Sequence, residues 1–147
     1  MDRLYTTIRP YAWGSRTALA QMQGRPAPAD GPEAELWAGA HPGAPSRVVR
    51  DGRLRDLGAV LGADPAGELG PGVVAEFGAQ LPYLLKVLAV AEPLSLQAHP
   101  DAAQARAGFA AEEAAGTPRD AATRTYRDPS PKPELICALT PFEALCG

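Results

Sequence analysis

The sequence predicts a mainly β fold, a sandwich or barrel with short helical insertions. Three observations carry that prediction. Short runs rich in branched and aromatic residues recur between Gly and Pro, of which the 147 residues hold 15 and 16. Helical spacing or capping marks only two stretches, and a 46% hydrophobic content lets one domain of this length bury a core. Residues 1–147 are read as that single domain.

The elements follow in order. Ile8 Arg9 Pro10 Tyr11 Ala12 Trp13 Gly14 Ser15 predicts a short strand and a turn, and residues 23–33, QGRPAPADGPE, a loop. Glu35 to His41 alternates weakly before Pro42 and Pro45 stop it, and Ser46 Arg47 Val48 Val49 predicts a strand ending in an Asp51 Gly52 hairpin turn. Apolar residues at 54, 57, 60 and 61 predict a helix over 53–61. The run at 81–90, bounded by Pro82 and Pro93, predicts a largely buried strand, and 94–99 a second one. Asp101 with Gln104 is a capping box for an Ala-rich helix ending at Gly116. Residues 117–133 are a proline-punctuated connection, and Leu135 to Leu139 predicts a last strand. The chain closes on Pro141 to Gly147 with no polar tail, the ending expected of an incomplete barrel.

Composition narrows the partners. A net charge of -3, with 14 Lys and Arg scattered rather than striped, argues against nucleic acid. No apolar run has the length of a signal peptide or a bilayer span, so a soluble, cytoplasmic protein without membrane contact is expected, with a monomer favoured. Cys137 and Cys146 lack metal-type spacing and are expected as buried reduced thiols.

Candidate chemistry begins at Leu94 Ser95 Leu96 Gln97 Ala98 His99. On a strand, Ser95, Gln97 and His99 would share one face, and inside a barrel they would need a metal ion or a polyhydroxylated ligand to satisfy them. An ordinary solvent face is the alternative. Lys86, among Leu84, Leu85, Val87 and Leu88, needs an anionic partner unless it snorkels to solvent. Lys132 Pro133 Glu134 places a cation and a carboxylate two apart in a stretch stiffened by prolines, or forms a turn with surface charges. A histidine, a carboxylate and an amide oxygen converging from two strands suit a divalent cation such as zinc.

These residues together resemble a known family. Ser95 to Asp101, Lys132 Pro133 Glu134 and Ala138 to Gly147 are similar to the catalytic region of type I mannose-6-phosphate isomerases. Tyr11 Ala12 Trp13 Gly14, Glu35 Leu36 Trp37, Gly39 with His41 Pro42, and Leu85 Lys86 Val87 Leu88 add to the match. The resemblance implies a cupin-type jelly-roll barrel that interconverts mannose 6-phosphate and fructose 6-phosphate with one zinc per chain. It implies Gln97, His99 and Glu134 as zinc ligands, and a fourth ligand beyond residue 147. Lys86 and Lys132 become catalytic cations, and Trp13, Glu35 and Ser95 line the sugar-phosphate pocket. His41, the only other histidine, matches an N-terminal motif rather than the missing ligand. One departure stands out: Ser130 Pro131 replaces the Asn-His usual before Lys-Pro-Glu. A non-catalytic cupin-like binding module, or an inactive fragment, is the alternative.

Overall fold

A computed structural model describes residues 2–146; Met1 and Gly147, the last residue of the C-terminal motif, lie outside the described residues. In chain order the elements are β1 (Leu4–Tyr5), β2 (Thr7–Arg9), α1 (Ala18–Met22), β3 (Glu35–Ala38), β4 (Arg47–Arg50), β5 (Arg53–Asp56), α2 (Leu57–Ala63), α3 (Pro65–Leu69), α4 (Pro71–Phe77), β6 (Leu85–Leu88), β7 (Leu94–Ser95), α5 (Ala102–Ala114) and β8 (Ala144–Leu145). They divide into two units, Met1–Leu94 and Ser95–Gly147. The expected mixture of sheet with helical insertions is present. The strands form sheets ordered β1-β4-β5, β2-β3-β6 and β7-β8, and no closed barrel is seen among the described residues. Nor, among those residues, is any helix long and apolar enough to cross a membrane.

In the first unit the predicted hairpin forms. Asp51 and Gly52 take left-handed φ values of 52° and 71°, the backbone a two-residue hairpin turn requires. The register Val48↔Arg55 and Arg50↔Arg53 then carries β5 as far as Asp56. This corrects the helix expected over 53–61: ladder hydrogen bonds to β4 claim residues 53–56. Helix α2 starts only where the Asp56 carboxylate accepts the Ala59 N–H at 3.2 Å.

The β2-β3-β6 sheet positions the first set of site residues. Its pairs Ile8↔Leu36 and Leu36↔Val87 put three apolar side chains on one face, where Leu19 of α1 and Ala89 complete the core. The opposite face carries Arg9↔Glu35 and Trp37↔Lys86. The strand expected over 81–90 shrinks to Leu85–Leu88 and is less buried than predicted, with Leu85 exposed. Among the described residues β6 is an edge strand, with a neighbour on one side only.

The second unit is built around α5. The predicted capping box is present: Asp101 Oδ1 accepts the Ala103 and Gln104 N–H groups, and Gln104 Oε1 accepts the Asp101 N–H. Gly116 at φ 69° follows the helix end, as expected. Two strand predictions are corrected. The stretch 94–99 is strand only at Leu94–Ser95, with Leu96 N–H donating to the Leu145 carbonyl at 2.9 Å; the partner β8 has two residues, so the ladder stops there. Residues 135–139 form no strand, because nothing among the described residues pairs with them, and Leu135 is 97% exposed. Cys137 and Cys146 are therefore exposed free thiols rather than buried ones.

Candidate functional site

The polar face of the β2-β3-β6 sheet follows from register. Residues opposite one another across an antiparallel pair share a face, so Lys86 lies beside Trp37, and Glu35, two residues from Trp37, lies on the same side. Glu35 is buried, and its Oε2 accepts the Trp37 Nε1–H at 2.5 Å. Lys86 is half-buried. Arg9 places its guanidinium carbon 5.3 Å from the Trp37 ring centre and donates to the Tyr11 hydroxyl and the Gly43 carbonyl at 3.2 Å each. His41 meets the Trp37 ring edge-on at 4.9 Å. Ser46, fully buried, ties the loop bearing His41 back to the sheet: its Oγ donates to the Trp37 carbonyl and accepts the Gly39 N–H.

Trp13 comes from the turn after β2. Its ring stacks on Tyr11 at 6.0 Å, and its carbonyl accepts the Ala91 N–H at 3.0 Å. Gly14 lets this turn press on the start of β3: a Cβ there would lie 2.5 Å from the Ala34 nitrogen. The Tyr11 Ala12 Trp13 Gly14 stretch is thus held one residue from Glu35.

In the second unit, two of the predicted metal ligands meet. His99 Nε2 stands 3.8 Å from Glu134 Oε2, with side chains 25% and 57% exposed. Two donors each about 2.0–2.2 Å from one zinc ion are at most about 4.4 Å apart, so this separation fits a shared cation. The expected third donor, Gln97, is exposed, two residues from His99. Gln97 and His99 do not project from a strand: residues 96–100 have no regular structure. Among the described residues no group of three His, Cys, Asp or Glu side chains gathers, and an amide completing a His–Glu pair is consistent with that. Ser95 ends β7 and is exposed. Lys132 Nζ lies 3.4 Å from Asp128 Oδ2, so its charge is offset by a neighbour on its own loop.

Sequence reasoning passed over Arg9 and Trp37 as site residues, and Arg124 altogether. The arginine side chain is fully buried in the connection after α5. It donates to the carbonyls of Tyr126 and Thr117 and, at 2.7 Å, to Glu113 Oε1. The Arg119 and Arg124 guanidiniums hold the Glu113 carboxyl down to about 2, Arg119 contributing more. The Thr125 backbone N–H, first among several donors and charges, also lowers Glu112. A buried arginine in a polar loop has no periodic signature; only its partners identify it.

Known proteins match this chain along its length. The family description "Phosphomannose isomerase type I, catalytic domain" matches residues 1–147. Mannose-6-phosphate isomerase of Escherichia coli (strain K12) is 49% identical over 146 residues, 99% of this chain and 37% of that protein. The enzyme of Emericella nidulans is 39% identical over 155 residues, covering 99% of this chain and 31% of its own length. The chain thus spans about a third of the length of these relatives. Among solved structures, mannose 6-phosphate isomerase from Salmonella typhimurium bound to its substrate fructose 6-phosphate and zinc is 45% identical, with a TM-score of 0.79 over 90% of this chain and 33% of that one. The K86A mutant of phosphomannose isomerase from the same organism is 44% identical, with a TM-score of 0.81 over 89% and 33%. By sequence along its whole length and by fold, this chain belongs to the type I phosphomannose isomerases.

Proposed function

We propose that this chain is the metal-binding, catalytic N-terminal part of a zinc-dependent aldose-ketose isomerase that interconverts mannose 6-phosphate and fructose 6-phosphate, with a cupin-type jelly roll as the complete architecture. The observation that carries the reading is the 3.8 Å approach of His99 Nε2 to Glu134 Oε2, with Gln97 nearby in sequence as third donor. Family membership supports it, as do the zinc and fructose 6-phosphate bound in the Salmonella structure. This reading has the protein act on a small sugar phosphate in the cytoplasm, with a monomer favoured.

Moving a carbonyl between C1 and C2 of a sugar phosphate requires removal of a weakly acidic proton beside the carbonyl, an enediolate, and return of the proton to the neighbouring carbon. Gln97, His99 and Glu134 would hold the zinc, which would supply positive charge where the oxyanion develops. Lys86 and Lys132 add charge for the phosphate or the enediolate, and a desolvated lysine there can also carry the proton. Trp13 offers a flat apolar surface to the sugar, while Glu35 and Ser95 accept and donate hydrogen bonds to its hydroxyls.

Metal content read together with a coupled assay for fructose 6-phosphate tests the reading. The 147-residue chain should retain zinc through gel filtration, His99→Ala and Glu134→Ala should lose it, and turnover should appear in the full-length enzyme. Zinc retention unchanged by both substitutions overturns the assignment. A second reading, a binding module without turnover, is favoured by Ser130 Pro131, where the family carries Asn-His. Zinc bound with no turnover even at full length selects it.

A further inference from the structure

Helix α5 connects the two members of the His99–Glu134 pair by two different routes. At its N-terminal end, Asp101 caps the helix through the Ala103 and Gln104 N–H groups at 2.8 Å each, and His99 lies two residues upstream. At its C-terminal end the helix grips the loop that leads to Glu134. Arg124, with its side chain fully buried, reaches Glu113 Oε1 at 2.7 Å and Glu112 Oε2 at 3.5 Å, and its guanidinium carbon lies 5.2 Å from the Phe109 ring centre. The Glu112 carboxylate accepts the N–H groups of Thr125 and Tyr126 at 2.9 and 2.8 Å. The Tyr126 ring lies against Gly108, where even a methyl group would overlap it.

From Tyr126 to Glu134 little freedom remains. Asp128 Oδ1 accepts the Ser130 N–H at 2.9 Å, Asp128 Oδ2 faces Lys132 Nζ at 3.4 Å, and Pro129, Pro131 and Pro133 fix three φ angles. The position of Glu134 is therefore inherited from the grip at 124–126, eight to ten residues away.

We propose that Arg124 is a positioning residue: its clamp on Glu112 and Glu113 of α5 sets the separation of His99 and Glu134 and so the fit of the cation they share. This rests on the zinc reading above, and it assigns a task to a buried cation that touches neither candidate ligand.

The test measures zinc affinity by chelator competition in Arg124→Gln, Arg124→Lys, Gly108→Ala and Glu134→Ala, with Arg124→Gln also placed in the Glu134→Ala background. Groups that orient a metal ligand typically contribute about 10- to 100-fold in affinity, so Arg124→Gln and Gly108→Ala should each weaken binding by that factor. Arg124→Lys should recover part of the loss by keeping the charge. Glu134→Ala keeps Gln97 and His99, so chelator competition still reads an affinity too weak to survive gel filtration, and in that background Arg124→Gln should cost nothing more. An equal loss in both backgrounds shows that Arg124 does not act through Glu134 and overturns the inference, as does wild-type affinity in Arg124→Gln and Gly108→Ala. If Arg124→Gln loses its helical circular dichroism, Gly108→Ala alone decides. Amide exchange of the metal-free chain separates this inference from the zinc reading: faster exchange at residues 127–134 in Gly108→Ala supports the clamp even if no zinc binds, and unchanged exchange refutes it.

Discussion

At the scale of single residues, the site depends on a few close approaches that tolerate no added atoms. Gly14 is the sharpest case, since a Cβ would lie 2.5 Å from the nitrogen and 2.6 Å from the Cα of Ala34. Those are backbone atoms at the entrance to β3, so relief has to move either the Trp13 turn or the strand bearing Glu35. Overpacking of this kind typically destabilises by about 1–3 kcal/mol, and Gly14→Ala should lower stability within that range in a denaturant titration. It should also loosen the Ser15 N–H to Ala89 carbonyl bond of 2.8 Å, the next contact along. Wild-type stability with an unchanged Ser15 amide exchange rate would show that the turn has slack. Sequence alone marks Gly14 as a turn glycine, but the neighbour that forbids a side chain is twenty residues away and leaves no local trace. The same distinction separates His99 and Glu134, visible through short motifs, from Trp37 and Arg9, whose importance lies in the residues opposite them.

At the scale of elements, features with local causes were legible and features that depend on a partner were not. The Asp51 Gly52 turn and the Asp101–Gln104 capping box are each set within four residues, and both form as expected. Strand lengths over 81–90, 94–99 and 135–139 were overestimated because composition reports willingness to pair, whereas the ladder ends where the neighbour ends. Helix α5 with its loop is the element whose pH response can be stated. Glu113 titrates near 2 when folded, against an ordinary value of 4.5, chiefly because of Arg119 and then Arg124. A carboxyl lowered by folding adds stability above its unfolded value, and that stability is lost as pH falls toward the folded value. Thermal unfolding followed by helical circular dichroism should therefore hold steady above about pH 5 and drop between about pH 4.5 and 2. In Glu113→Gln the acid-side drop should be shallower, with the remainder due in part to Glu112, which is also lowered. Identical acid limbs in the two proteins would remove Glu113 from the account.

At the scale of the whole molecule, the residues most at odds with an ordinary soluble surface are those of the stretch 135–139. Leu135 is 97% and Leu139 87% exposed, with Ile136 at 47%, and the five residues contain no charge and no proline. Uncharged, branched segments with open backbone are templates for pairing with another chain. The prolines at 131, 133 and 141 flank the stretch and limit how far a ladder can grow, so the expected outcome is weak, reversible association rather than a fibre. Sedimentation velocity in the presence of a reductant, which keeps Cys137 and Cys146 from cross-linking, should show monomer at low concentration and a rising share of larger species as concentration increases. Burying one leucine contributes about 1.5–3 kcal/mol, so the double variant Leu135→Glu/Leu139→Glu should weaken association by about tenfold or more. Leu135 adjoins Glu134 in the chain, so zinc retention is compared with the parent in the single variant Leu139→Glu, where the two should match. Association that persists in the double variant would locate the self-contact elsewhere, exposed Tyr83 and Leu85 at the start of β6 being the next residues to alter.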